Sequence, residues 1–203
     1  MNSFSPSASL IGLFGGTFDP IHLGHLILAE TAFEKLKLDQ LIFIPAKISP
    51  YKTNQPPAAS AADRVAMIEL AIAGRNGWSV DTRELFRAGP SFTIDTVKEL
   101  QQEHREATFV FLIGEDQLAG FPGWKESEEL QRLVSFVVLS RNSMTGPILR
   151  NSMADPILLD RCIDISSTEI RERLAKNKNV DYLLPSSIHD YIKTKKLYQK
   201  RDC

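Results

Sequence analysis

Apolar residues along the chain fall into two rhythms. Short unbroken runs, such as Leu10-Ile11-Gly12-Leu13-Phe14 and Phe109-Val110-Phe111-Leu112-Ile113, end beside glycine. Runs of this kind predict strands buried on both faces, as in parallel sheets. In all, strands are expected over 10–14, 41–45, 78–82, 108–114, 135–140 and 162–166. Between them the apolar positions move to helical spacing. Leu26, Ala29, Phe33 and Leu36 predict a helix over 23–38, and Val65, Ile68 and Ile72 one over 61–73. Further helices are expected over 91–103, around 126–133, over 168–175 and over 185–195. Residues 46–60, with Pro50, Pro56 and Pro57, read as loop, as do the polar residues 141–156. Strands alternating with helices predict an α/β fold. The expected form is a Rossmann-like, doubly wound parallel sheet with helices on both faces.

Length and composition narrow the picture. With 203 residues the chain suits one domain, expected over 10–203 behind a Ser-rich flexible leader at 1–9. The leader has neither a basic start nor an apolar run, so it does not read as a secretory signal. No stretch approaches a membrane span. Two cysteines, Cys162 and Cys203, have no metal-type spacing and suit a reducing compartment. A cytoplasmic protein with no membrane partner is expected. The net charge of -1 argues against a broad electrostatic grip on nucleic acid. Oligomeric state is left open, a homo-oligomer included.

Candidate chemistry sits where predicted strands end, which is where open α/β sheets bind ligands. After the first strand comes Gly15-Gly16-Thr17-Phe18-Asp19-Pro20-Ile21-His22-Leu23-Gly24-His25. Glycines let a ligand approach the backbone, and Asp-Pro favours a turn. His22 and His25 share one face of the helix that follows, beside unpaired N–H groups and the positive end of its dipole. Phosphate is the natural guest of such a site. Surface histidines, or two ligands of a zinc ion, are the alternatives, although no third Cys or His ligand lies nearby. Neither a Walker loop nor GxGxxG is present. A second candidate is Ile165-Ser166-Ser167-Thr168-Glu169-Ile170-Arg171. Ser166 and Glu169 form a capping-box pattern. Ser167 and Thr168 add hydroxyls, and Arg171 adds a planar fork suited to phosphate oxygens.

With both segments in view, the chain resembles the HxGH-containing nucleotidyltransferases, and among them the bacterial nicotinate-nucleotide adenylyltransferases. The resemblance covers nearly the whole chain after the leader. It rests on GGTFDPIHLGH, on SSTEIR (166–171), on GPSFTIDT (89–96), on Ile113-Gly114-Glu115-Asp116 followed by Trp124, and on the ending at 182–198. In the loop after the second strand the family often has Pro-His-basic, where this chain reads Pro50-Tyr51-Lys52. Glu115 fills a position that is usually small or acidic.

The resemblance implies adenylyl transfer from ATP to nicotinate mononucleotide, giving deamido-NAD and pyrophosphate. It implies that His22, His25 and Arg171 are catalytic. ATP would meet Gly15, Gly16, Thr17, Phe18, His22, His25, Gly114, Asp116, Ser167, Thr168 and Arg171. Nicotinate mononucleotide would meet Thr17, Lys52, Thr93, Asp116 and Trp124. Mg²⁺ would arrive with ATP, held mainly by phosphate oxygens and water, so no protein ligand is assigned to it. Two further readings stand beside this one: the same chemistry on nicotinamide mononucleotide or phosphopantetheine, and a nucleotide-binding sensor without turnover.

Overall fold

A computed structural model describes residues 8–48, 56–118, 120–140, 156–160 and 163–199. Six strands form one sheet: β1 (Leu10–Gly16), β2 (Gln40–Pro45), β3 (Trp78–Val80), β4 (Thr108–Gly114), β5 (Ser135–Ser140) and β6 (Ile157–Asp160). All neighbouring pairs are parallel, in the order β3-β2-β1-β4-β5-β6. The chain builds outward from β1 in one direction, then returns to start again at β4. That reversal opens a crevice beyond the carboxyl ends of β1 and β4, the usual ligand position in such sheets.

Eight helices cover the sheet among the described residues: α1 (Leu23–Leu36), α2 (Ala61–Ile72), α3 (Arg83–Phe86), α4 (Thr93–Glu103), α5 (Glu115–Leu118), α6 (Ser127–Leu133), α7 (Ser167–Ala175) and α8 (Ser186–Lys195). Alternate strand residues face opposite ways, so the core splits into two clusters. On one face Leu10, Phe14, Leu41 and Phe43 pack with Leu28 of α1, Ile68 of α2, Ile170 of α7 and Ile188 of α8. On the other, Ile11, Leu13, Ile42 and Ile113 pack with Ile94 and Val97 of α4 and Leu130 of α6. Among the described residues no helix is long and apolar enough to cross a membrane.

Several expectations shift. The last strand is at β6, not at 162–166. The apolar run of β6 takes the sheet edge in register with β5, Val137 opposite Ile157. Residues 163–166 run irregularly into α7 instead, where Ser166 is the N-cap and accepts the backbone N–H of Glu169 at 3.1 Å. The first strand continues through Gly15 and Gly16, which pair with Ile44 and Pro45. These glycines lengthen the strand rather than turning it. On α2 it is Arg64, not Val65, that is fully buried beside Met67 and Ile68. Helices α3 and α5 were not expected from the spacing, each being only one turn long.

Candidate active site

One cavity of about 650 Å³ opens at the crevice between β1 and β4. Gly15, Gly16, Thr17, Phe18, His22 and His25 line it from the β1–α1 side. Ser167, Thr168 and Arg171 of α7 line it from a second side, Gly114 from the end of β4, and Thr93 and Trp124 from a third. Lys52 lies outside the described residues, and so does the side chain of Asp116, whose backbone belongs to α5.

The histidine segment is built by reciprocal capping. His22 is the N-cap of α1 in extended conformation. Its Nδ1 accepts the backbone N–H of His25 at 3.4 Å, and the Nδ1 of His25 accepts that of His22 at 3.3 Å. An accepting ring nitrogen carries no proton, so each neutral ring holds its proton at Nε2. The rings stack with centroids 3.7 Å apart. Gly24 makes this possible. A Cβ there would stand 3.0 Å from Nδ1 of His22 and 3.4 Å from Cβ of Ile165. Any larger residue at the glycine of H-x-G-H would crowd the His22 ring and force it or Ile165 to shift. Phe18, at φ 48° and buried, sets its ring edge-on to His25 with centroids 5.1 Å apart. Phe18 thereby supports the imidazole from below as well as lining the cavity.

The two phosphate-type segments are tied to each other. The Ser167 hydroxyl donates to the Pro20 carbonyl at 2.9 Å. Arg171 Nη1 donates to the Asp19 carbonyl at 2.8 Å, and Nη2 to Thr168 Oγ1 at 3.2 Å. Asp19 is the buried anchor of this junction. Its carboxylate accepts the backbone N–H groups of Ala58 (2.7 Å) and Ala59 (3.0 Å) and the hydroxyl of Tyr198 (2.7 Å). Burial first, and the Asp19 charge second, push the Tyr198 phenol up, which keeps it a donor. Arg64 completes the frame, with Nη1 donating to the carbonyls of Thr17 (2.6 Å) and Ala46 (2.8 Å). Burial lowers its pKa, opposed by the Asp19 charge.

The third side is different in kind. Helix α4 starts at Thr93, and its N-cap residue, Phe92, supplies no side-chain capping bond. Lys125 Nζ lies 4.9 Å from the centre of the Phe92 ring and pairs with Asp95 at 2.8 Å. Trp124 packs against Phe121 and Phe111, with centroids 5.4 and 6.2 Å away. Behind this surface lies Glu84, a buried carboxyl that also lines the cavity.

Asp19, Arg64, Tyr198 and Glu84 did not emerge from the sequence as site residues. For Asp19 the available signal was its place inside the FDP motif; for Arg64, an arginine set at the same helical spacing as the buried Ile68. Tyr198 closes the ending at 182–198 that carries part of the resemblance, and Glu84 offered no signal.

A family model described as cytidylyltransferase-like matches residues 13–173. A Methylacidiphilum infernorum protein named "probable nicotinate-nucleotide adenylyltransferase" is 41% identical over 188 residues, covering 93% of this chain and 91% of its own. A Geobacillus thermodenitrificans protein of the same name is 41% identical over 195 residues, covering 94% and 87%. The solved structure of Plasmodium falciparum nicotinic acid mononucleotide adenylyltransferase complexed with NaAD shares the fold. It has a TM-score of 0.78 at 21% identity, covering 94% of this chain and 97% of that one. The chain belongs to the cytidylyltransferase-like family and, within it, to the nicotinate-nucleotide adenylyltransferases.

Proposed function

We propose that the protein transfers the adenylyl group of ATP to nicotinate mononucleotide, forming deamido-NAD and pyrophosphate. The observation that supports this best is the bonding of the two phosphate-type segments to each other, Arg171 to Asp19 and Ser167 to Pro20, around one cavity. Relatives 41% identical over nearly the full length carry the name of this activity.

In the reaction, a phosphate oxygen of nicotinate mononucleotide attacks the α-phosphorus of ATP. The new P–O bond forms as the α–β P–O bond breaks, and pyrophosphate leaves with the electron pair. A phosphate monoester is largely dianionic near neutral pH, with a second pKa of about 6, so no strong base is needed. The work left to the protein is alignment and stabilisation of charge on the leaving group. His22 and His25 would donate from Nε2 to α- and β-phosphate oxygens, since Nδ1 is committed to capping. Ser167, Thr168 and Arg171 would hold the β- and γ-phosphates, and Gly15, Gly16 and Thr17 would leave room for them.

The nicotinate carboxylate would meet Thr93 and the first N–H groups of α4, where Phe92 provides no side-chain cap. Trp124 would lie against the pyridine ring. Among the described residues no cluster of three or more His, Cys, Asp or Glu could hold a metal ion. Of the carboxylates that line the cavity, Asp19 already accepts three hydrogen bonds and Glu84 accepts the Thr96 hydroxyl. The described residues therefore suit a Mg²⁺ ion carried by the triphosphate itself, which would neutralise phosphate charge.

Incubation with ATP, Mg²⁺ and nicotinate mononucleotide is the test. Deamido-NAD and pyrophosphate in equal amounts are expected. A folded protein that binds ATP without forming them would be a sensor, and the proposal would be wrong.

A further inference from the structure

We infer that Lys125 sets an acid-over-amide preference at the acceptor end: its ammonium offsets the Asp95 carboxylate at the start of α4 and presents positive charge to the acceptor carboxylate. The inference rests on the reading of the cavity as an adenylyl-transfer site. Lys125 lines the cavity together with Phe92, Thr93 and Trp124. Its Nζ lies 2.8 and 3.1 Å from the two carboxylate oxygens of Asp95, and 4.9 Å from the centre of the Phe92 ring. These two partners bracket Thr93, to which the acceptor carboxylate is assigned.

Charge explains why a cation is needed here. The N–H groups at a helix start favour an anion. Asp95 stands in the first turn of α4, so it already draws on that preference and repels a second carboxylate. Lys125 cancels the repulsion. An ammonium carries three donors, and the contacts to Asp95 engage at most two. One is left for a ligand oxygen. A carboxylate gains from this arrangement, whereas a neutral amide of the same shape gains little. The side chains of Lys125 and Asp95 are 41% and 31% exposed, so salt should screen the effect.

A lysine that only tethered its loop would behave differently, and the next residue supplies the comparison. Glu126 also reaches α4, accepting Lys98 Nζ at 2.6 Å. Of the two, only Lys125 lines the cavity. The segment after the 3-10 turn is thus joined to α4 by two ion pairs, Lys125–Asp95 and Glu126–Lys98. The second holds the segment in place when the first is removed. Charge and tethering can therefore be separated by substitution.

The test is steady-state kinetics on Lys125→Met, Lys125→Arg and Glu126→Gln, each beside a thermal melt. The two acceptors, nicotinate and nicotinamide mononucleotide, differ only in carboxylate against amide, so the ratio of their kcat/KM values isolates that group. For Lys125→Met the ratio should fall about tenfold, as for one lost charge-assisted contact, while KM for ATP stays within about twofold. Lys125→Arg keeps the charge and should hold the ratio within about threefold. Glu126→Gln should leave it unchanged. Raising the salt should lower the ratio of the unaltered protein more than that of Lys125→Met. Where the amide gives no product, KM for nicotinate mononucleotide against KM for ATP reads the same split. If Lys125→Met keeps the preference, if Lys125→Arg loses it as far as Lys125→Met does, or if Glu126→Gln lowers it equally, Lys125 is only a tether and the inference is overturned. Failure of the functional reading would look different: the unaltered protein would form no deamido-NAD.

Discussion

The two ends of the cavity are built in opposite ways. The end assigned to the triphosphate is made of two short contiguous stretches, 15–25 and 166–171, each placed by a strand end and the first turn of a helix. Its geometry is local: His22 and His25 cap each other across three positions. The end assigned to the acceptor has one contiguous motif, 89–96, and is completed by pieces from elsewhere. It is gathered from 46–48, α3, the start of α4 and the 3-10 turn at Phe121–Gly123, and it is held by separate hydrogen bonds, Lys47 to Ser91 and Arg87 through Thr96 to the buried Glu84. Charge chemistry on phosphate is common to many nucleotidyl transfers and can be encoded compactly. Recognition of one acceptor needs shape, and shape is assembled from distant pieces.

This difference can be broken or sharpened by substitution. The largest effect is expected at the phosphate end. His25→Ala should lower kcat by about 10²-fold or more, the usual loss for one donor aimed at developing charge, with little change in either KM. A kcat within about twofold of the unaltered protein would remove His25 from the chemistry. Next comes Trp124→Ala. Loss of an aromatic stacking partner, about 1–3 kcal/mol, should raise KM for nicotinate mononucleotide about tenfold and leave that for ATP alone. Equal rises in both would mean that the two ends are not separable. The smallest effect is expected for Tyr198→Phe, which removes the hydroxyl bonded to Asp19 and keeps the ring. One hydrogen bond is worth about 1 kcal/mol, so Tm should fall by about 2–4 °C and KM for ATP should rise at most threefold or so. An unchanged Tm would show that the two backbone N–H groups of 58 and 59 hold Asp19 without help.

The same contrast explains what could be read before folding. Unbroken apolar runs located β1, β2, β4 and β5 and the parallel sheet, because burial on both faces leaves no polar alternation; the edge strand β3 has the exposed Ser79 between Trp78 and Val80. β6 was missed although Ile157-Leu158-Leu159 is itself an apolar run; it is an edge strand of only four residues, with Leu158 40% exposed. The residues of both phosphate motifs could be named from local spacing alone. Their anchors could not. Tyr198 meets Asp19 from 179 positions away, and Arg171 meets its carbonyl from 152. Arg64 lies buried on α2 and donates to the carbonyls of Thr17 and Ala46, 47 and 18 positions away. Glu84 stood in an unremarked charged stretch, and only the fold brings Thr96 to it. Contacts of this kind depend on tertiary approach and have no period to detect.

Acceptor choice is the point on which the account turns, since the phosphate end serves any adenylyl transfer. The direct measurement is kcat/KM with saturating ATP for nicotinate mononucleotide, nicotinamide mononucleotide and phosphopantetheine, side by side. A cavity end formed by uncapped N–H groups at the start of α4 favours a carboxylate over an amide. Nicotinate mononucleotide should therefore lead nicotinamide mononucleotide by at least about tenfold, with no product from phosphopantetheine. Equal use of acid and amide, or a preference for phosphopantetheine, would contradict the assignment of α4 and Trp124 to the acceptor.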